Sequence, residues 1–154
     1  MSVNIRKATL EDLKSVQELN YKLFELEYKN FDPALNMEWT FSKVGENYFK
    51  ELIEEGTVWV AVDSSKIIGY LAGSIDVKPE YATKSLSELD NFYVEEEYRR
   101  QGIGKKLLEE FKKHCISKGI EEIKVTATAK NINAREFYKN NGFEDFEITY
   151  KMKL

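Results

Sequence analysis

Two glycines and three cations fall within seven residues at Arg99-Arg100-Gln101-Gly102-Ile103-Gly104-Lys105. The stretch runs straight into a segment whose apolar residues, Ile103, Leu107, Leu108, Phe111 and Cys115, recur at helical spacing. The first turn of a helix has N–H groups without intrahelical partners and carries a partial positive charge. Glycines let a backbone approach phosphate oxygens closely, and Arg and Lys add charge-assisted contacts. The chemistry on offer is anion binding, with a pyrophosphate as the natural guest. Two nucleotide loops do not fit. A P-loop needs four residues between its first Gly and a Gly-Lys-Ser/Thr, whereas Ile103 alone separates these glycines and Lys106 follows Lys105. A dinucleotide fingerprint needs a third small residue where Leu107 stands.

Two carboxylates precede the loop. Glu88 and Asp90 lie two apart on a predicted strand, Leu86 to Val94, and so point to one face. Phe92 and Val94 share that parity and Asn91 points the other way. The acidic link Glu95-Glu96-Glu97 reads as solvated surface.

The elements that must position these residues follow from pattern. Val3 and Ile5 alternate as a short first strand. Thr9-Leu10-Glu11-Asp12 resembles a capping box, opening a helix to about Tyr28 through Leu13, Val16, Leu19, Leu23 and Leu26. Residues 30–38 read as a loop, and residues 42–55 as a second helix closed by Gly56. Val58 to Val62 and Ile67 to about Val77 form a hairpin. The helix after the loop ends at Gly119, and Ile123, Val125, Ala127 and Ala129 alternate as a fifth strand. Asn133 to Asn140 is a short helix, and Phe146, Ile148, Tyr150, Met152 and Leu154 alternate as a final strand. This order predicts a mixed sheet with helices on its faces, in one domain over residues 1–154.

Composition limits the partners. The 154 residues carry 23 basic and 27 acidic side chains, a net charge of −4 that does not suggest a nucleic-acid binder. A single cysteine, Cys115, and a single histidine, His114, leave no cysteine cluster, multi-histidine metal site or intramolecular disulfide. No apolar run reaches membrane-spanning length and the N-terminus lacks a signal-peptide pattern, so a cytoplasmic protein without membrane partners is expected.

Three spaced motifs together resemble the GCN5-related N-acetyltransferase superfamily. Arg99, Gly102 and Gly104 match its Gln/Arg-x-x-Gly-x-Gly/Ala loop. Glu88 to Val94 is similar to its fourth strand. Asn131-Ile132-Asn133-Ala134-Arg135-Glu136-Phe137-Tyr138, with Asn141-Gly142-Phe143 after it, resembles its Asn-x-x-Ala-x-x-Phe-Tyr segment. The resemblance covers nearly the whole chain in order. It implies an α/β (α+β) fold with a mixed, mostly antiparallel central sheet, helices on both faces and a splayed V between the fourth and fifth strands.

The resemblance also implies acetyl-CoA as co-substrate, without a metal. The backbone from Arg100 through Gln101, Gly102, Ile103 and Gly104 to Lys105 would cradle its pyrophosphate, with Arg99 opening the loop. Phe92, Tyr93 and Val94 would flank the pantetheine arm, Asn131 and Ala134 would lie along it, and Tyr138 would sit near the thioester sulfur. Direct attack by a neutral amine is expected, with Tyr138 as acid and Asp90, slightly ahead of Glu88, as base. The acceptor region implied is Phe24 to Trp39, including Glu27, Tyr28 and Phe31, with Tyr81 on the opposite side. A small amine is the leading acceptor. A protein N-terminus or lysine is the alternative, and a non-catalytic acetyl-CoA sensor a third reading. Family members often dimerise, so a homodimer is expected.

Overall fold

A computed structural model describes residues 2–154. Five strands form one sheet in the order β1 (Val3–Lys7), β2 (Val58–Asp63), β3 (Lys66–Ser74), β4 (Leu86–Val94) and β5 (Glu122–Val125). The first three pairings are antiparallel and β4–β5 is parallel. Four helices, α1 (Leu13–Asn30), α2 (Lys43–Glu55), α3 (Ile103–Ser117) and α4 (Ile132–Asn140), complete the fold.

The helices cover both faces of the sheet because the central strands β2 and β3 have apolar residues to bury on both sides. On one face Val16 and Leu19 of α1 and Phe49, Leu52 and Ile53 of α2 pack on Val58, Val60, Tyr70 and Ala72. On the other, Ile103, Leu107, Leu108, Phe111 and Cys115 of α3 pack on Trp59, Ala61, Ile68, Leu71 and Leu89. The predicted stripe of α3 is thus its buried face. Phe137 and Tyr138 of α4 extend this second core.

Local signals explain the helix ends. Ser42 caps α2, accepting the Gly45 N–H at 3.2 Å, and Gly56 closes it with φ +80°. Before α1, a short 3-10 turn spans Leu10–Asp12. The Asp12 carboxylate accepts the Thr9 N–H at 2.8 Å and two Arg6 guanidinium bonds at 2.7 and 3.0 Å, tying the turn to β1. A buried polar chain fastens α1 to the next segment: Asn20 donates to the Tyr70 hydroxyl and accepts from Thr40, while Gln17 donates to the Thr40 carbonyl.

Three expectations need correction. The stretch read as a loop at residues 30–38 runs into a 3-10 turn at Met37–Phe41, started by Asn36 accepting the Glu38 N–H. The fifth strand stops at Val125 rather than Ala129, because β4 and β5 part beyond that point. The final strand does not pair at all. Residues 143–154 form neither helix nor strand and lie outside the sheet, and Phe146, Ile148, Tyr150, Met152 and Leu154 are 74–116% exposed. Alternation gave this stretch the pattern of a strand, but a strand needs a hydrogen-bonded neighbour.

Candidate active site

The sheet splits where the candidate residues gather. β4 pairs with β5 only over Leu86–Leu89 against Glu122–Val125, yet continues to Val94. Its residues 90–94 therefore keep β3 on one side and have no strand on the other. The Glu95 N–H bonds back to Ile68 of β3. Backbone groups alternate sides along a strand, so those of Phe92 and Val94 face the open edge. The Val94 carbonyl is taken there by Arg99 Nε at 2.8 Å, while the Arg99 guanidinium lies 5.1 Å from the Tyr93 ring centre. Arg99 thus pins the loop before α3 to the strand end.

A register shift between Ala72 and Gly73 of β3 changes the faces of β4. Gly73 stands opposite Leu89, but Ala72 stands opposite Asn91, leaving Asp90 as the extra residue. Glu88, Asp90 and Asn91 consequently all face α1 and α2, whereas Leu89, Phe92 and Val94 belong to the α3 core. The expectation that Phe92 and Val94 share the face of Asp90, with Asn91 opposite, is overturned by this bulge.

Asp90 is a tethered carboxylate. Its Oδ2 accepts the Tyr48 hydroxyl at 2.6 Å and the Ser74 hydroxyl at 2.7 Å, and Asn91 Nδ2 donates to the Tyr48 oxygen at 2.9 Å. Burial, followed by the Asp90 charge, holds the Tyr48 phenol far above its ordinary pKa. Glu88 has no hydrogen-bond or ion-pair partner among the described residues, and Asn91 Oδ1 is buried without one. Tyr48, Ser74 and Asn91 were not foreseen as site residues. Tyr48 is 42 positions from Asp90, and no local motif announces such a meeting.

The loop beyond β4 has the form of an anion cradle. Gly102 occupies the N-cap of α3 with φ +77°, and no side chain caps the helix. Arg100 also adopts a positive φ, 61°. A Cβ at Gly104 would lie 2.8 Å from the Phe92 ring and 3.4 Å from that of Phe137, so only glycine lets α3 sit this close to the open strand. Free first-turn N–H groups, basic side chains and an unpaired backbone edge fit a pyrophosphate joined to an amide-bearing arm.

On the far wall, Phe92 meets Phe137 with ring centres 5.3 Å apart, and Phe137 meets Tyr138 at 5.5 Å. Burial, assisted by the Glu27 carboxylate, pushes the Tyr138 phenol up to about 12. Glu27 reaches from α1 to accept the Thr128 hydroxyl at 3.2 Å and Asn131 Nδ2 at 3.4 Å. Asn131 Oδ1 accepts the Ala134 N–H at 3.2 Å, so Asn131 also caps α4. Of the other acceptor candidates, Tyr28 is 41% exposed on α1 and Phe31 is the residue that ends that helix. Tyr81 is 91% exposed, in the connection between β3 and β4. Phe24 stacks on Trp39, which in turn packs on Tyr48.

The sheet split thus lies directly beside an uncapped helix N-terminus. Comparison with known proteins identifies the class. The model of the acetyltransferase (GNAT) family matches residues 20–143, and the chain belongs to that family. By family and fold it is an acetyl-CoA-dependent acyltransferase. It is 28% identical to the spermidine N(1)-acetyltransferase of Thermoplasma acidophilum, over 94% of this chain and 89% of that one. It is 27% identical to an uncharacterised N-acetyltransferase of Methanocaldococcus jannaschii over 94% of this chain, spanning 62% of the length of that relative. The crystal structure of the PaiA N-acetyltransferase from Thermoplasma acidophilum, in complex with coenzyme A, superposes with a TM-score of 0.81. That pair is 26% identical and is covered over 97% of this chain and 94% of the other.

Proposed function

We propose that this protein transfers the acetyl group of acetyl-CoA directly to the neutral nitrogen of a small primary amine. The observation that carries the reading is the open edge of Phe92–Val94, lying between the uncapped start of α3 and the half-buried Tyr138. Acetyl-CoA supplies an activated acyl group as a thioester. The chain's residues do the rest. First-turn N–H groups of α3, with Arg100 and Lys105, hold the phosphates. Phe92 and Val94 offer backbone groups to the pantetheine arm, and N–H groups near the β4 bulge can polarise the reacting carbonyl.

An alkyl amine has an ordinary pKa of about 10.4 and arrives as an ammonium. Glu27, whose charge acts on the Tyr138 phenol, attracts the ammonium. Glu88 is the better base. Asp90 already accepts two hydroxyl bonds through Oδ2, so its carboxylate is committed to holding α2 against β4. Tyr138 stays protonated near neutrality. A thiol has an ordinary pKa of about 8.5, so full proton transfer from a phenol held near 12 runs uphill. Its role is a hydrogen bond to the sulfur as negative charge develops there. The name of the spermidine N(1)-acetyltransferase relative supports a small cationic acceptor.

The test is CoA release with a panel of amines, polyamines, amino acids and short peptides. Tyr138→Phe should lower kcat about 10- to 100-fold, the worth of a hydrogen bond to a charged group, while leaving the acetyl-CoA Kd unchanged. Glu88→Gln should remove the acidic limb of the pH–rate profile, and Asp90→Asn should leave it in place. Turnover of peptides alone would reassign the acceptor, and tight acetyl-CoA binding without any turnover would make the protein a sensor.

A further inference from the structure

Beyond Leu89 and Val125 the strands part, so residues 127–131 have no ladder to hold them. Among the described residues, most hydrogen bonds of this segment stay within it and α4. The Asn131 N–H goes to the Thr128 carbonyl at 2.9 Å, Arg135 donates to the Ala129 carbonyl at 3.0 Å, and Asn131 Oδ1 takes the Ala134 N–H at 3.2 Å. Glu27 supplies the link to the rest of the molecule. One of its carboxylate oxygens accepts the Thr128 hydroxyl at 3.2 Å and the other accepts Asn131 Nδ2 at 3.4 Å, from partners 101 and 104 positions away. Glu27 belongs to α1, which packs on β3 and β4. The same helix is fastened to the other side of the split, because Lys22 Nζ stands 2.5 Å from the buried carboxylate of Glu95, the residue after β4. Lys22 and Glu27 are five residues apart, about 7.5 Å along the helix axis. A short stretch of α1 thus grips both walls of the split.

We propose that Glu27 is a positioning residue: by tying Thr128 and Asn131 to α1 it fixes the start of α4, and through α4 the place of the Tyr138 hydroxyl. The inference rests on the reading that Tyr138 hydrogen-bonds the departing sulfur. The far end of α4 is held by other means, with Phe137 against Phe92 and Tyr138 against Phe143. Without the tie, the first turn of α4 is free to swing about that aromatic contact. A misplacement of about 1 Å can cost 100-fold in rate. The tie needs the shape of Glu27 more than its charge. A glutamine there can accept from Asn131 through its carbonyl and donate to Thr128, because a hydroxyl both donates and accepts. Attraction of an ammonium needs the charge, and is lost in glutamine and alanine alike.

Hydrogen exchange read by mass spectrometry on the unliganded chain should show residues 127–138 exchanging about tenfold faster in Glu27→Ala, the worth of one such bond, with β2 and β3 unchanged. Glu27→Gln should restore most of that protection. With the best amine of the panel at saturation, Glu27→Ala should lower kcat about tenfold. Glu27→Gln should recover most of that loss while KM stays raised. In the Tyr138→Phe background, Glu27→Ala should have little further effect on kcat, because residues acting through one another are not additive. Should Glu27→Ala fail to fold, Thr128→Val removes one end of the tie and should speed exchange over the same residues. Unchanged exchange there, or fully additive losses in kcat, would overturn the proposal. A Tyr138→Phe enzyme of undiminished kcat would instead refute the role given to Tyr138, and the exchange result would still decide whether Glu27 holds α4.

Discussion

Replacing Gly104 by alanine isolates the role of the close approach between α3 and the open strand. In a helix, Gly→Ala alone stabilises by up to about 1 kcal/mol, because glycine loses more backbone freedom on folding. Here the added methyl would sit 2.8 Å from the Phe92 ring, nearer than carbon atoms approach, and 3.4 Å from the Phe137 ring. Those two rings already touch, with centres 5.3 Å apart. Phe92 must turn or move toward the split, at a cost of about 1–3 kcal/mol for overpacking. The two effects largely offset in stability, leaving a net loss of roughly 0–2 kcal/mol. They do not offset in binding, because the displaced ring moves the backbone edge and the first helical turn together. A loss of about 1.4 kcal/mol there is tenfold in Kd. Titration calorimetry with acetyl-CoA should therefore show Gly104→Ala weakened by about tenfold or more. Gly102→Ala is the control. Its Cβ would meet nothing within 4 Å, so its penalty is the left-handed conformation alone, about 1–2 kcal/mol of stability. If Gly104→Ala bound acetyl-CoA as tightly as the wild type and melted higher, the packing argument for the loop would be wrong.

Two further outcomes rest on single contacts. Arg100→Gly should relieve the φ of 61° while removing a cation, so the melting temperature should hold or rise as the acetyl-CoA Kd increases and its salt dependence flattens. Asp12→Asn should cost about 1–2 kcal/mol in denaturant unfolding near neutral pH, by weakening the Arg6 pair and the Thr9 N–H bond. Arg6 holds the Asp12 carboxyl below its ordinary value, so this stability is present above about pH 4 and fades as the pH falls further. The two proteins should then converge in acid, and a gap that persisted there would separate the effect from the carboxylate charge.

The form of the loop before α3 was legible in the sequence because its requirements are local. Gly102 supplies a positive φ, Gly104 supplies closeness, and Ile103, Leu107 and Phe111 fix the helix they lead into. The layers of the sheet were equally legible, since α3 and the strands bury what their periodicity says they should. The arrangement of the carboxylates along β4 was not. Parity along β4 is a sound rule for an unbroken ladder, and the extra residue at Asp90 breaks it. Nothing in Glu88-Leu89-Asp90-Asn91 marks a bulge, because the shift arises from pairing with β3 and not from a glycine or proline in the strand itself. Its consequence is large: Asn91 joins Asp90 on the face of Tyr48, and Phe92 crosses to the α3 side to meet Phe137. The preference for Asp90 as base rests on the family resemblance and not on strand parity, which puts Glu88 and Asp90 on one face. The bulge brings Asp90 to Tyr48 and Ser74 and gives it partners, while Glu88 has none among the described residues, which is why the proposed mechanism takes Glu88 as base.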